Sequence, residues 1–184
     1  MSYQTMADIL AANESSHERL SALLSTIPPQ QWNRRPSEDR WSIEEIMEHV
    51  SLVNQGFLRI TGKLLREATE SGAGAAVPFE VGPILPRATA EQPLVPVKAP
   101  PQVEPTGGVP VETSLAQMKE VLDSFRKLQP QLEAIDLSRQ TFSHSRLGAL
   151  TAYQWMTLLH EHQDRHAGQI SAVAAALAAT PPPA

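Results

Sequence analysis

The 184-residue chain contains no cysteine. Disulfides, thiolate metal sites and a cysteine nucleophile are therefore excluded, and the redox compartment stays open. Long hydrophobic runs are also missing. No apolar stretch reaches about 18 residues, so no transmembrane helix is expected. Nor is there a basic excess. Lys and Arg total 15 against 20 Asp and Glu, a net charge of -5, which argues against a general binder of nucleic acid or anionic membranes. The opening stretch MSYQTMADILAANESSHERL lacks the basic-then-apolar layout of a signal peptide, and a cytoplasmic location is expected. Several catalytic motifs are absent too. Gly107-Gly108 lies in a proline-rich stretch without the strand and helix context of a phosphate loop, and no nucleophile elbow occurs. The HEH of residues 160–162 is not the HExxH of zinc proteases, because position 164 is Asp.

What is present is a chain of ordinary single-domain length, 41% hydrophobic, long enough to bury a core. Its sixteen prolines are segregated: nine lie between Ser71 and Glu112, three at Pro181 to Pro183, and the others at Pro28, Pro29, Pro36 and Pro130. The segments between them show helical periodicity. The first helix is predicted from about Thr5 to Ser25, with Met6, Ile9, Leu10, Asn13, His17, Leu20 and Leu24 on one face. The second starts at a capping box, Ser42 with Glu45, and carries Ile46, His49, Val50, Val53, Phe57, Ile60 and Leu64 until it fades near Ser71-Gly72. A third is predicted to start near Ser114, where Gln117 completes a second box, and to kink or end at Pro130. The fourth starts at Thr151 with Gln154 and runs to Pro181. With no strand-like alternation, the pattern predicts an all-α fold. It is a four-helix bundle in one domain spanning 1–184, with a long Pro/Gly-rich crossover between helices 2 and 3. Within residues 71–112 the apolar Val81, Ile84, Leu85, Leu94, Val95 and Val97 favour an extended strap lying on the bundle, and 180–184 reads as a tail. Trp32, Trp41 and Trp155 read as core or capping aromatics.

The chemical signal lies in the histidines. A helix turns about 100° per residue, so His162 and His166 lie about 40° apart on the stripe of helix 4. His49 falls on the stripe of helix 2. Three buried imidazoles are costly unless satisfied, and a divalent ion would satisfy all three while leaving coordination positions open. Imidazole suits zinc, nickel, copper or iron, so this reasoning does not name the metal. The competing reading is three core histidines that are simply hydrogen-bonded. His160, about 200° from His162, is expected to face solvent or a partner. His144 reads as a loop residue bonding the backbone, and His17 as a core histidine with a weaker claim to second-sphere or substrate contact. Glu45, one turn before His49, is a weak candidate for the same outer role. Glu48, Glu161 and Asp164 stand beside the candidate ligands in sequence and otherwise read as helix surface.

Two stretches carry a family likeness. Residues 35–50, RPSEDRWSIEEIMEHV, show an RP…WS…E…H pattern that opens the second helix. Residues 144–170, HSRLGALTAYQWMTLLHEHQDRHAGQI, show H-x-x-x-G-x-L-T…W…H-x-x-R-H-x-x-Q-I. In order and spacing both are similar to the DinB-like superfamily of bacterial four-helix-bundle proteins. The resemblance implies a metal, often zinc or nickel in that family, held by His49, His162 and His166. Members include bacillithiol- and mycothiol-dependent S-transferases and a thiol-dependent maleylpyruvate isomerase, and homodimers are common among them. The proline-rich segment 71–112 departs from the family pattern. The expected function is a thiol-dependent S-transferase or metal-assisted hydrolase acting on a small molecule, with a low-molecular-weight thiol as co-substrate. The alternative is a non-catalytic metal-binding or stress-related bundle whose histidines staple helices 2 and 4.

Overall fold

A computed structural model describes residues 2–85 and 98–179. Four helices dominate it: α1 (Met6–Ser25), α2 (Ile43–Glu70), α3 (Val111–Ala134) and α4 (Ala152–Ala179). A short antiparallel hairpin, β1 (Thr141–His144) and β2 (Gly148–Thr151), precedes α4. α1 packs on α3 and α4, and α2 packs on the same two helices, which leaves α1 opposite α2 across the bundle.

The helix starts follow from capping chemistry. Thr5 and Asp8 exchange side-chain-to-backbone hydrogen bonds at 3.1 Å, closing a capping box on α1. Ser42 Oγ accepts from the Glu45 N–H at 3.1 Å, and the Glu45 carboxylate accepts from the Ser42 N–H at 2.8 Å. Thr151 and Gln154 make the same exchange at the head of α4. Each such cap contributes about 0.5–2 kcal/mol.

Three expectations are corrected. α3 begins at Val111, one turn before Ser114, with Pro110 at its N-cap position and no side-chain cap. Val111 and Ser114 are both fully buried. Burying Val111 in the core rewards the earlier turn, and Gln117 is drawn away to accept a hydrogen bond from Ser51 at 2.8 Å. Pro130 does not end α3, which continues to Ala134. Proline cannot donate to the Arg126 carbonyl, but both residues are exposed, so the lost bond falls on the solvent side of the helix rather than in the core. The hairpin was not expected. Its register pairs Thr141 with Thr151 and His144 with Gly148, and Gly148 takes the left-handed conformation (φ 78°) that closes the turn.

The described part of the proline-rich segment lies on the bundle as a strap. Tyr3 and Val81 form a two-way backbone bridge at 2.8 and 2.9 Å, and Val81 is buried. Phe79 stacks on Tyr153 with ring centroids 4.0 Å apart. A single 3-10 turn, Pro101–Val103, rests against α2. Leu94, Val95 and Val97, and the tail at 180–184, lie outside the described residues.

Two apolar clusters fill the interior. One gathers Ile9, Leu10, Phe57, Leu64, Phe125, Leu132, Trp155 and Leu159, and the other Leu20, Leu24, Ile43, Ile46, Met47, Met118, Ile170 and Val173. Burial of each large side chain contributes about 1.5–3 kcal/mol. On α4 the first cluster ends at Leu159 and the second begins at Ile170, and on α2 the change falls between Val50 and Val53. His49, His162 and His166 lie at or beside this junction. No described helix is long and apolar enough to cross a membrane.

Candidate metal centre

α2 and α4 bring three imidazoles together. One ring nitrogen from each of His49, His162 and His166 lies within 4.8 Å of the others. Ring centroids are separated by 4.9 Å for His49–His166, 5.2 Å for His49–His162 and 4.4 Å for His162–His166. The Nε2 atoms of His162 and His166 are 3.1 Å apart. Metal–nitrogen bonds of about 2.0–2.1 Å at tetrahedral angles put two ligand nitrogens about 3.3 Å apart.

Outer hydrogen bonds set the tautomers of His49 and His166, whereas the buried His162 Nδ1 has no hydrogen-bond partner among the described residues. His49 Nδ1 donates to the Val103 carbonyl at 2.7 Å, and His166 Nδ1 donates to Gln169 Oε1 at 2.9 Å. A proton on Nδ1 leaves the Nε2 lone pair free, so both rings present a ligand atom to the cluster. Burial, reinforced by neighbouring histidines, holds His162 well below the usual histidine range and pushes His166 down to about 3. Burial also lowers His49, against the effect of its bond to Val103. Neutral imidazole is the form that ligates a metal. The donor set, its spacing and its protonation therefore fit a divalent ion.

Aromatic rings wall the cluster. Trp41 lies 5.1 Å from His49, and Phe57 lies 6.2 Å from His162 and 5.3 Å from Trp155 (centroid distances). His144 sits 5.4 Å from Trp155 at the hairpin turn. It is the last residue of β1 and not a loop residue, though its Nδ1 accepts from the backbone N–H groups of Arg146 and Leu147 as expected. An open groove of about 370 Å³ between Phe79–Ile84 and Tyr153–Gln154 contains none of the three clustered histidines.

The other candidate residues stand elsewhere. His17 is half-buried on α1, outside the cluster, and burial and nearby Lys119 lower its pKa. Glu45 does not meet His49. Its carboxylate is engaged by the Ser42 N–H and by Arg35, with the Arg35 Nε bond at 2.9 Å. His160 does not face solvent: it is 6% exposed, its Nε2 is hydrogen-bonded to the Tyr3 hydroxyl at 3.0 Å, and burial drives its pKa down to about 4. The single-face picture fails there because α4 is covered on two sides, by α2 and by α1 with Tyr3.

Periodicity did not disclose the outer partners. The Val103 carbonyl belongs to a backbone segment with no side-chain signal. Gln169 was readable in principle, since it follows His166 by three residues on one helix face. Glu48 and Glu161 are not free surface acids. They accept backbone hydrogen bonds from Thr106 and Gly107, and from Ile84 and Leu85, respectively.

The profile of the DinB superfamily matches residues 12–170. The chain is 25% identical over 154 residues to the uncharacterized protein YuaE of Bacillus subtilis (strain 168), covering 82% of this chain and 87% of that protein. A solved structure described as "TT2238, a four-helix bundle protein" superposes with a TM-score of 0.57 at 20% identity, over 91% of this chain and 99% of that one. The likeness to the solved structure shows the fold.

Proposed function

This chain belongs to the DinB superfamily, and from that premise we propose that it is a metal-dependent enzyme acting on a small molecule, either as a thiol-dependent S-transferase or as a metal-assisted hydrolase. The observation that carries the reading is the convergence of three neutral imidazoles from two helices on one point. His49, His162 and His166 hold the ion, with zinc or nickel the metals we favour. A divalent ion bound there supplies Lewis acidity that favours the deprotonated form of an adjacent water or thiol.

The chain's own groups do the rest. The Val103 carbonyl and Gln169 Oε1 keep the His49 and His166 protons on Nδ1. Trp41 and Phe57, the latter backed by Trp155, give the cluster an apolar side. Arg165, one residue before His166, adds positive potential at the three histidines, which favours an anionic nucleophile or substrate. A cytoplasmic homodimer is part of the same proposal.

Cobalt-substituted protein tests the chemistry. Addition of a low-molecular-weight thiol should change its visible absorption through a new sulfur ligand. A spectrum unmoved by thiols, together with no hydrolysis of activated esters, would overturn the enzymatic reading. A second reading has its own observation: the ligands come from α2 and α4, so an ion would staple these helices. A purely stapling ion should raise the melting temperature and leave the spectrum blind to thiols.

A further inference from the structure

One buried carboxylate fastens the strap where it returns to the bundle. Glu48, immediately before His49 on α2, is 4% exposed. Its Oε1 accepts from the Thr106 N–H at 2.9 Å and from Thr106 Oγ1 at 2.7 Å, and its Oε2 accepts from the Gly107 N–H at 2.9 Å. Three donors satisfy a charge that burial would otherwise penalise. Gly107 has φ 78°, and a Cβ there would lie 3.4 Å from Glu45 Oε1, so the turn is fitted closely against α2. Three residues upstream of Thr106, the Val103 carbonyl receives the His49 Nδ1 proton at 2.7 Å. Adjacent residues of α2 thus grip neighbouring points of one strap, Glu48 by its carboxylate and His49 by its ring.

We propose that Glu48 is a positioning residue for the histidine cluster. By clamping Thr106 and Gly107 it holds the Val103 carbonyl against His49 Nδ1. That bond fixes the ring's tautomer and orientation and keeps the Nε2 lone pair aimed at His162 and His166. The role rests on the metal reading above. Without the clamp, the His49 proton is free to sit on either nitrogen, and only one of these forms offers Nε2 as a ligand. The other arm of the strap supplies an internal control. Glu161, beside His162 on α4, accepts from Ile84 N–H at 3.0 Å and Leu85 N–H at 2.7 Å, a fastening of a part of the strap 18 or more residues before Val103 in the chain.

The test compares wild type with Glu48→Gln, Thr106→Ala and Glu161→Gln in two measurements, with circular dichroism verifying the helices. The first is long-range 1H–15N correlation of the imidazoles in metal-free protein. Wild-type His49 should be the Nδ1–H tautomer, Glu48→Gln should give a mixture, and Glu161→Gln should match wild type. The second is cobalt(II) titration. Glu48→Gln should bind about 10–100-fold more weakly with a shifted visible spectrum, the scale for loss of an outer partner. Thr106→Ala, which removes one of the three bonds, should move the same way by less. A wild-type tautomer in Glu48→Gln, or equal weakening by Glu48→Gln and Glu161→Gln, would overturn the role. If wild type binds no cobalt, the metal reading fails, and the tautomer measurement still decides whether Glu48 positions His49.

Discussion

The Nε2 atoms of His162 and His166 lie 3.1 Å apart across one turn of α4, with the His166 proton drawn to its far side by Gln169. Two neutral imidazoles facing each other in this way share either a hydrogen bond, donated by His162 Nε2–H to the His166 Nε2 lone pair, or a cation. At 3.1 Å the spacing admits either, and His49 from α2 supplies the third nitrogen that a cation site needs. Removing one imidazole should therefore be far worse than removing any outer partner. His162→Ala or His166→Ala is expected to weaken zinc binding by more than the about 100-fold upper range for outer partners. His17→Ala should leave it within about twofold, because His17 stands outside the cluster. Isothermal titration of metal-free protein checks both.

Gln169 is the next residue to test. Gln169→Leu deletes the acceptor for the His166 Nδ1 proton while roughly keeping side-chain size. Zinc affinity should fall about 10-fold, within the range for loss of an outer partner. An unchanged affinity would mean that burial alone orients this ring.

Acid should destabilise the metal-free protein. His49, His160, His162 and His166 all titrate below the ordinary histidine value when folded, chiefly through burial, with His160 at about 4 and His166 at about 3. The unfolded chain takes up these protons near pH 6.5, the folded chain only at lower pH. Below about pH 6.5 the unfolded state therefore binds more protons, and stability falls toward the folded values. Stability is fully present above the unfolded value. Urea midpoints should drop between pH 7 and pH 5, and His160→Gln should flatten the slope. A midpoint independent of pH would contradict the burial of these rings.

Core packing gives a reference point on a helix that contributes none of the three histidines. Phe125 on α3 is fully buried in the apolar cluster away from Ile170 and Val173. Phe125→Ala should cost about 3–5 kcal/mol in urea unfolding. The folded variant should bind zinc as wild type does, and a large loss of affinity would show that the two parts of the bundle are coupled.

The sequence and the structure agree where one local rule governs. The Ser42–Glu45 and Thr151–Gln154 boxes start their helices because each needs only its own turn. His49, His162 and His166 fall together because helical phase fixes the face of each. Agreement ends where a second element intervenes. Ser114 carries a good cap pattern, but burial of Val111 starts α3 one turn earlier. His160 points away from the triad, as its phase requires, yet α1 and Tyr3 cover it. The phase gave its direction and could not give its neighbour. Glu45 lies in phase with His49, but its carboxylate serves the cap and Arg35. The His49 partner comes instead from Val103, 54 residues along the chain, on a backbone carbonyl that no side-chain pattern announces. The family resemblance pointed to the same three histidines but carried no information on the strap.

The most direct test of the central claim is the metal content of tag-free native protein, measured by mass spectrometry beside His49→Ala and His162→Ala. The account predicts near-stoichiometric zinc or nickel in the wild type and its loss in both variants. A wild type free of metal even after reconstitution, or variants that keep their metal, would contradict it.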